Sequence, residues 1–354
     1  MKLTRIGLDL AKNVFQVHGV DQSGHVALRR RLSRNQMVGF FKKLTPCLIG
    51  MEACASAHHW GRVLQEIGHT VRLIAPQFVK PYVKGQKNDA NDAEGICEAL
   101  SRPSMRFVAI KRVEQQDIQS IHRIRSERVK QRTATVNQIR GLLGEYGIVV
   151  PKGINQLRRA LPEIAEDMEN GLTEAFRNLL EDLRRDLAHL DERVKQLEKE
   201  IQKVARKDEA AKRLQTIPGI GPITATALAA DLGDARHFKR GREVSAFLGL
   251  TPRQHSSGGK AKLSGISKRG DTYLRTLLIH GARAALRTAG NKTDPRSRWV
   301  IRVSERRHRN IAAVALANKN ARIAWALLSR GETFDPHHIQ RPTEGTGRIE
   351  THPV

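Results

Sequence analysis

Asp89 and Asp92 stand three residues apart in KNDANDAEGICEAL (87–100), a stretch that reads as the start of a helix. Side chains at that spacing share one helical face, so the two carboxylates meet and repel. The positive end of a helix macrodipole welcomes an acid there, which accounts for one of them. A shared cation accounts for both. Two further acids invite the same reading. Asp9 lies inside the strand-like IGLDLAK, and Glu52 ends the apolar run CLIGME. An ionised acid in an apolar strand is costly unless it is paired or bound to metal. If those strands lie side by side in a mixed sheet, Asp9 and Glu52 come together, and Asp89 and Asp92 arrive from the helix. Two Mg2+ ions, with Mn2+ as a substitute, would relieve four converging carboxylates. Such ions activate a nucleophile and hold both oxygens of an in-line phosphoryl displacement.

The second half of the chain offers a serine pair and a cationic setting. Ser256, Ser257, Gly258 and Gly259 lie among Arg253, Lys260, Lys262, Lys268 and Arg269. On residue types alone, Ser-Gly-Gly is a turn that positions phosphate. Upstream, KRLQTIPGIGPITATALAADLGD (212–234) reads as a helix–hairpin–helix. Gly219 and Gly221 would let backbone N–H groups approach a phosphate, and the second helix would lend its positive N-terminus. A plain helical turn is the bland alternative, and the surrounding Lys and Arg weigh against it.

These residues need a frame. RIGLDLA, NVFQVHGV and HVALRRRLS alternate apolar and polar positions, as three consecutive antiparallel strands do. Helix-like text at 35–43, a strand at 47–52, a helix at 58–67, a strand at 70–75 and a helix at 89–100 follow. That order describes a mixed α/β sheet of the ribonuclease-H-like kind over residues 1–105. A basic helical stretch at 112–145 carries Arg123, Arg128 and Arg132. Phe176, Leu180, Leu183, Leu187, Leu190, Val194, Leu197, Ile201 and Val204 then recur in alternating steps of four and three. This seam predicts a coiled coil, either in cis against 112–145 or in trans as a homo-oligomer, against the alternative of a long helix packed on its own domain. The expected segments are a basic helix and coiled-coil linker at 106–211, a mostly helical domain at 212–331, and a disordered tail at 332–354.

Charge narrows the partner. The chain carries 62 Lys and Arg against 36 Asp and Glu, a formal net charge of +26. The excess flanks one acidic block, since 161–210 has 9 basic and 14 acidic residues while 101–160 has 13 and 4. Such a field favours a polyanion and makes its binding salt-dependent. Three cysteines without metal-site spacing read as reduced thiols of a cytoplasmic protein. No run of apolar residues is long enough to span a membrane. Neither a zinc motif nor a P-loop is present.

Taken together, IGLDLAKNVFQV, IGMEACASAHHW, KNDANDAEG, IPGIGPITATALAADLGD, SAFLGLTPRQHSSGGKAKLSGISKRGDTYLRTLLIHGARAAL and ANKNARIAWALL resemble the "one-ten" family of bacterial insertion-sequence transposases, the DEDD transposases. The resemblance places the acidic tetrad on Asp9, Glu52, Asp89 and Asp92. It likens the N-terminal domain to Holliday-junction resolvases. It also implies an essential serine in a C-terminal transposase domain, at Ser257, with Ser256 one residue away. That serine would be activated against the metal-bound tetrad, from a different protomer, and would form a phosphoserine–DNA intermediate. A non-coding guide RNA that pairs with donor and target DNA is implied as a further partner, with action at the nucleoid. Asn320 inside ANKNAR departs from the expected pattern, as do Ala90 and Asn91 between the two aspartates. Two other readings stand beside this one. A junction-selective two-metal nuclease would hydrolyse DNA without a covalent intermediate. A non-catalytic nucleic-acid-binding protein would have no use for Asp9.

Overall fold

A computed structural model describes residues 3–84, 88–258, 260 and 262–338. The chain divides into two compact units, residues 1–117 and 118–354.

The first unit is an α/β sheet built from β1 (Arg5–Leu10), β2 (Val14–Val20), β3 (Val26–Ser33), β4 (Leu48–Glu52), β5 (Thr70–Ile74) and a two-residue β6 (Phe107–Val108). Its strand order is β3-β2-β1-β4-β5-β6. β1 to β3 form the expected antiparallel meander, while β4 runs parallel to β1 and β5 parallel to β4. This is the ribonuclease-H-like order. Helix α1 (Met37–Lys42) and helix α2 (Ala57–Glu66) pack their apolar faces with the sheet around Ile6, Leu8, Phe15, Ile49 and Met51. A single turn, α3 (Pro76–Val79), precedes α4 (Asp89–Leu100), which carries Ile96, Ala99 and Leu100 in a smaller cluster with Ile74. Helix α4 begins where it does because Asn88, in extended conformation, caps it by accepting the Asn91 N–H.

Helix α5 (Val113–Glu145) contains the boundary between the units. In the second unit it is followed by α6 (Ile154–Glu166), α7 (Glu174–Lys207), α8 (Glu209–Gln215), α9 (Pro222–Leu232) and α10 (Gly241–Phe247). A small hairpin of β7 (Pro252–Gln254) and β8 (Leu263–Ile266) comes next, then α11 (Thr272–Arg287), α12 (Pro295–Arg306) and α13 (Arg309–Arg330). The heptad run lies on α7 as one continuous helix. Its partner within the chain is α5, antiparallel. The ion pairs Arg125–Glu198 and Arg132–Asp191 advance along α5 and retreat along α7 by the same seven residues. Val136, Ile139 and Leu143 of α5 share a core with Leu157 and Leu161 of α6 and Phe176, Leu180 and Leu187 of α7. Alternate seam positions differ: Leu180, Leu187, Val194 and Ile201 are buried, whereas Leu183, Leu190, Leu197 and Val204 are half-buried.

Helices α8 to α13 enclose a separate core of Leu, Ala, Ile and Val side chains. Several buried polar groups within it are paired, while Arg296 Nε has no hydrogen-bond partner among the described residues. His122 lies between Tyr273 Oη at 2.9 Å and Thr226 Oγ1 at 3.0 Å, and burial pushes its imidazole down to about 4, so it is neutral there. Asn320, the departure within ANKNAR, is fully buried: its Oδ1 accepts from Arg296 and its Nδ2 donates to the Pro218 carbonyl. Residues 332–338, expected in the tail, are placed, with the Phe334 N–H donating to Thr216 Oγ1 and its ring beneath the Arg296 guanidinium. The expectation of disorder over 339–354 falls outside the described residues, as do Lys87 and Gly259.

Candidate active site

The acids of the first unit are brought together by two glycines. Gly7 and Gly50 are register partners on the parallel strands β1 and β4. Each stands two residues before an acid, so Gly7 and Asp9 share one face of the sheet, as do Gly50 and Glu52. Helix α4 lies on that face. A β-carbon at Gly7 would meet the Ala93 carbonyl oxygen at 2.0 Å and the Cys97 nitrogen at 2.6 Å; at Gly50 it would meet Leu100 at 3.0 Å. Only glycine permits this approach, and it sets the first turn of α4 over the ends of the strands. The last paired residues are Leu8 and Met51, so Asp9 and Glu52 follow side by side at the carboxyl ends of β1 and β4.

The result is a group of carboxylates. One oxygen each from Asp9, Asp89 and Asp92 lies within 4.8 Å of the others. Glu52 stands outside that group, yet its charge acts on Asp9. Burial, then Asp92, Asp89 and Glu52, push the Asp9 carboxyl up to about 6, against a small opposing pull from the Leu10 backbone. At such separations each pair of ionised carboxylates repels by about 3 kcal/mol at the dielectric of a protein surface. A helix N-terminus offsets only about 0.3–1 kcal/mol. The macrodipole therefore leaves most of the repulsion standing, and a proton or a cation must relieve the rest. The donor set is all carboxylate oxygen, which suits a hard divalent ion of the Mg2+ or Mn2+ class.

Among the described residues, no cation figures in the charges that shift Asp9. His18 is buried and lowered, chiefly by its burial, and it faces Glu94 at 4.0 Å; Arg29 Nη2 donates to the same Glu94 at 3.2 Å. Cys54 is half-buried beside the site, and burial with the charges of Glu52 and Asp9 raises its thiol. Burial pushes Cys47 and Cys97 up to about 11. All three are free thiols, and none is held as a thiolate.

In the second unit, Ser256 and Ser257 sit at the tip of the β7–β8 hairpin. Ser257 and Lys260 form a bridge around Gly258, whose φ is +56°. Ser256 Oγ accepts from Gln254 Nε2 at 2.8 Å, while the Ser257 hydroxyl makes no hydrogen bond among the described residues. Arg253, Ser256, Ser257, Lys260, Lys262, Lys268 and Arg269 are all exposed. The base of the hairpin is closely packed. A β-carbon on Gly249 would lie 1.9 Å from the Arg269 carbonyl oxygen, and one on Gly270 would lie 1.8 Å from that of Phe247. Buried Arg275 donates to the Leu248 carbonyl at 3.1 Å.

The remaining expected contacts differ in availability. Gly221 is exposed at the N-cap of α9. Gly219 has φ +95° and packs on Gly281 of α11, so its lack of a side chain has a packing cause as well. Arg123 is exposed and Arg128 donates to Gln131, whereas Arg132 is turned to Asp191. Sequence reasoning missed the paired glycines. Their signal was the repeated pattern of glycine, one residue, acid in IGLDL and IGME.

Two family profiles match the chain: one described as "Transposase", of the DEDD type, over residues 6–148, and one described as "Transposase IS116/IS110/IS902 family" over residues 211–298. The first spans the four acids and the second spans the serine hairpin. The chain is similar to a protein of Pseudomonas aeruginosa named "Probable family 20 transposase", 58% identical over 337 residues, which cover 95% of this chain and 100% of that one. It is 50% identical over 329 residues to the transposase for insertion sequence element IS1111A of Coxiella burnetii, covering 93% and 90% of the two chains. Against the transposase for insertion sequence element IS1328 of Yersinia enterocolitica it is 44% identical over 332 residues, covering 94% and 98%.

Proposed function

The chain belongs to the IS116/IS110/IS902 transposase family, DNA-processing enzymes that act by phosphoryl transfer, and on that premise we propose how its residues divide the work. Asp9, Glu52, Asp89 and Asp92 hold divalent metal, with Mg2+ the expected ion. Ser257 is the nucleophile. The observation that carries this reading is the convergence of Asp9, Asp89 and Asp92, whose mutual repulsion has no protein cation to relieve it among the described residues.

When bound, the metal supplies Lewis-acid stabilisation of the phosphoryl oxygens. The protein's own part is to position and to exclude alternatives. Asp9 and Glu52 are fixed by adjacent strands, and Asp89 and Asp92 by a capped helix turn, so the donors are preorganised before DNA arrives. Attack of Ser257 Oγ on a phosphodiester forms a P–Oγ bond and breaks one P–O bond. The serine proton passes to solvent or a nearby base, and the departing strand end leaves as a hydroxyl. The covalent phosphoserine conserves the bond for rejoining, which suits strand exchange without net hydrolysis. The exposed Ser257 hydroxyl, without a hydrogen bond among the described residues and set among five exposed cationic residues, supports the nucleophile over Ser256, whose oxygen is engaged by Gln254.

The loop before α9, with Gly219 and Gly221, serves as a phosphate contact of the helix–hairpin–helix kind. Arg123 and Arg128 add to the field. The half-buried seam residues of α7 are suited to a second copy of the chain, as a coiled-coil contact between protomers. A guide RNA partner follows from the family resemblance alone. The test is strand exchange on element-junction DNA with Mg2+. Asp9→Asn and Glu52→Gln should abolish it while DNA binding persists, and equal loss of binding would make these acids structural instead.

A further inference from the structure

The acid cluster raises a problem of its own: it repels the polyanion that it must process. A cation beside it, on the same surface, would hold the strand against that repulsion. The sheet register places one there. Asp9 of β1 pairs with Gln16 of β2, and Gln16 pairs with Arg31 of β3. Directly opposed residues share a face, so Asp9, Gln16 and Arg31 form one row on the α4 side. With strands about 4.8 Å apart, Arg31 is rooted about 10 Å from Asp9, within reach of a phosphate flanking the reacting one.

The adjoining row fixes which side this is. Gly7, His18 and Arg29 are register partners, and Glu94 of α4 reaches both His18 and Arg29. Arg29 is thereby engaged. Arg30 points to the opposite face, where its guanidinium lies 5.2 Å from the centre of the Phe40 ring. Arg31 is exposed and has no hydrogen-bond or ion-pair partner among the described residues. Three successive arginines on an edge strand also discourage edge-to-edge pairing with other chains, but that role would not distinguish Arg31 from Arg30.

We propose that Arg31, with Gln16 beside it, binds the phosphodiester backbone of the DNA strand being processed, adjacent to the phosphate held at Asp9, and so positions that strand. This rests on the reading of the acid cluster as the reaction centre. An arginine suits the task, because its planar fork engages two phosphate oxygens at once.

The experiment measures binding of full-length protein to element-junction DNA across a salt series without divalent metal, so that no chemistry intervenes. Wild type, Arg31→Gln, Arg31→Lys, Arg30→Gln and Asp9→Asn are compared, with thermal melting to confirm folding. Arg31→Gln should weaken binding about tenfold and reduce the slope of log affinity against log salt by about one. Arg31→Lys should keep the slope while losing part of the affinity, and Arg30→Gln should leave both near wild type. Equal effects of Arg31→Gln and Arg30→Gln, or an unchanged slope in Arg31→Gln, would overturn the assignment. Arg31→Met, run in parallel, decides the matter if Arg31→Gln fails to fold. Adding Mg2+ to the Asp9→Asn sample separates the two readings: cutting there would refute the acid cluster as reaction centre, whatever the Arg31 slope.

Discussion

Gly7 of β1 lies so close to Ala93 of α4 that a β-carbon on the glycine would sit 2.0 Å from the alanine's carbonyl oxygen. That contact links the sheet to the helix and thereby links Asp9 to Asp89 and Asp92. Since the obstructing atom is backbone, Gly7→Ala must displace α4 instead of rotating a side chain. The expected outcome is a destabilisation of about 1–3 kcal/mol together with loss of strand cutting. Gly39→Ala is the control, because it lies in α1 with nothing within 4 Å of its β-carbon; it should be neutral or slightly stabilising. Thermal melting and a cutting assay on both variants check this.

Asp9 sets a pH dependence with a definite sign. Its carboxyl is raised from an ordinary 3.8 to about 6 in the folded protein. Below 3.8 both folded and unfolded forms are protonated. Between 3.8 and about 6 the folded form retains a proton that the unfolded chain has released, so stability falls as pH rises through that window. Above about 6 the full cost of the ionised cluster is present. His18, lowered by burial, acts oppositely at low pH, so the informative quantity is the difference between wild type and Asp9→Asn. In metal-free buffer, Asp9→Asn should gain stability relative to wild type between pH 4 and pH 6, and Mg2+ should narrow that gap at neutral pH. A pH-independent difference in melting temperature would contradict the assignment.

Much of this was legible because the signals were local. Asn88 caps α4 one residue before Asp89, so the helix start could be read within a residue. Strand β1 alternates apolar side chains with Gly7 and Asp9, β2 and β3 less regularly, and Asp9 stands out between Leu8 and Leu10. The β7–β8 hairpin was not legible. The described residues of 252–265 are exposed and mostly polar, without an alternating pattern, and the hairpin springs from a base set by Gly249 against Arg269, Gly270 against Phe247, and Arg275 on the Leu248 carbonyl. Helix α12 lacks a clean apolar stripe for a related reason, since arginines interrupt its apolar face. The heptads of α7 announced a seam, but its partner within the chain depends on Arg125–Glu198 and Arg132–Asp191, pairings more than fifty residues apart in sequence that no local pattern encodes.

The hairpin base gives a prediction of its own. Gly249 and Gly270 have φ of +68° and +92° and face carbonyl oxygens closer than any β-carbon tolerates. Gly249→Ala and Gly270→Ala should each abolish strand exchange although Ser257 is intact. The cost should reach several kcal/mol, from combined strain and overlap. Gly258→Ala, at the tip with open space around it, should be milder in melting temperature. Circular dichroism melts with parallel activity assays distinguish these outcomes.

Salt should act on binding more than on fold. Arg253, Lys260, Lys262, Lys268 and Arg269 are exposed, so replacing Lys260 and Lys262 together with glutamine should weaken DNA binding and lower the salt slope by about two. Their exposure predicts a change in stability within about 0.5 kcal/mol. A flat salt response of the wild type would undermine every phosphate contact assigned here.

The most direct test of the central claim is a search for a covalent protein–DNA adduct on a denaturing gel, using element-junction DNA, Mg2+ and RNA transcribed from the flanking element. Wild type should give an adduct that persists in Ser256→Ala and disappears in Ser257→Ala and Asp9→Ala. Metal-dependent cutting with no adduct in any sample would contradict the serine mechanism, and the acid cluster would then be that of a hydrolytic nuclease.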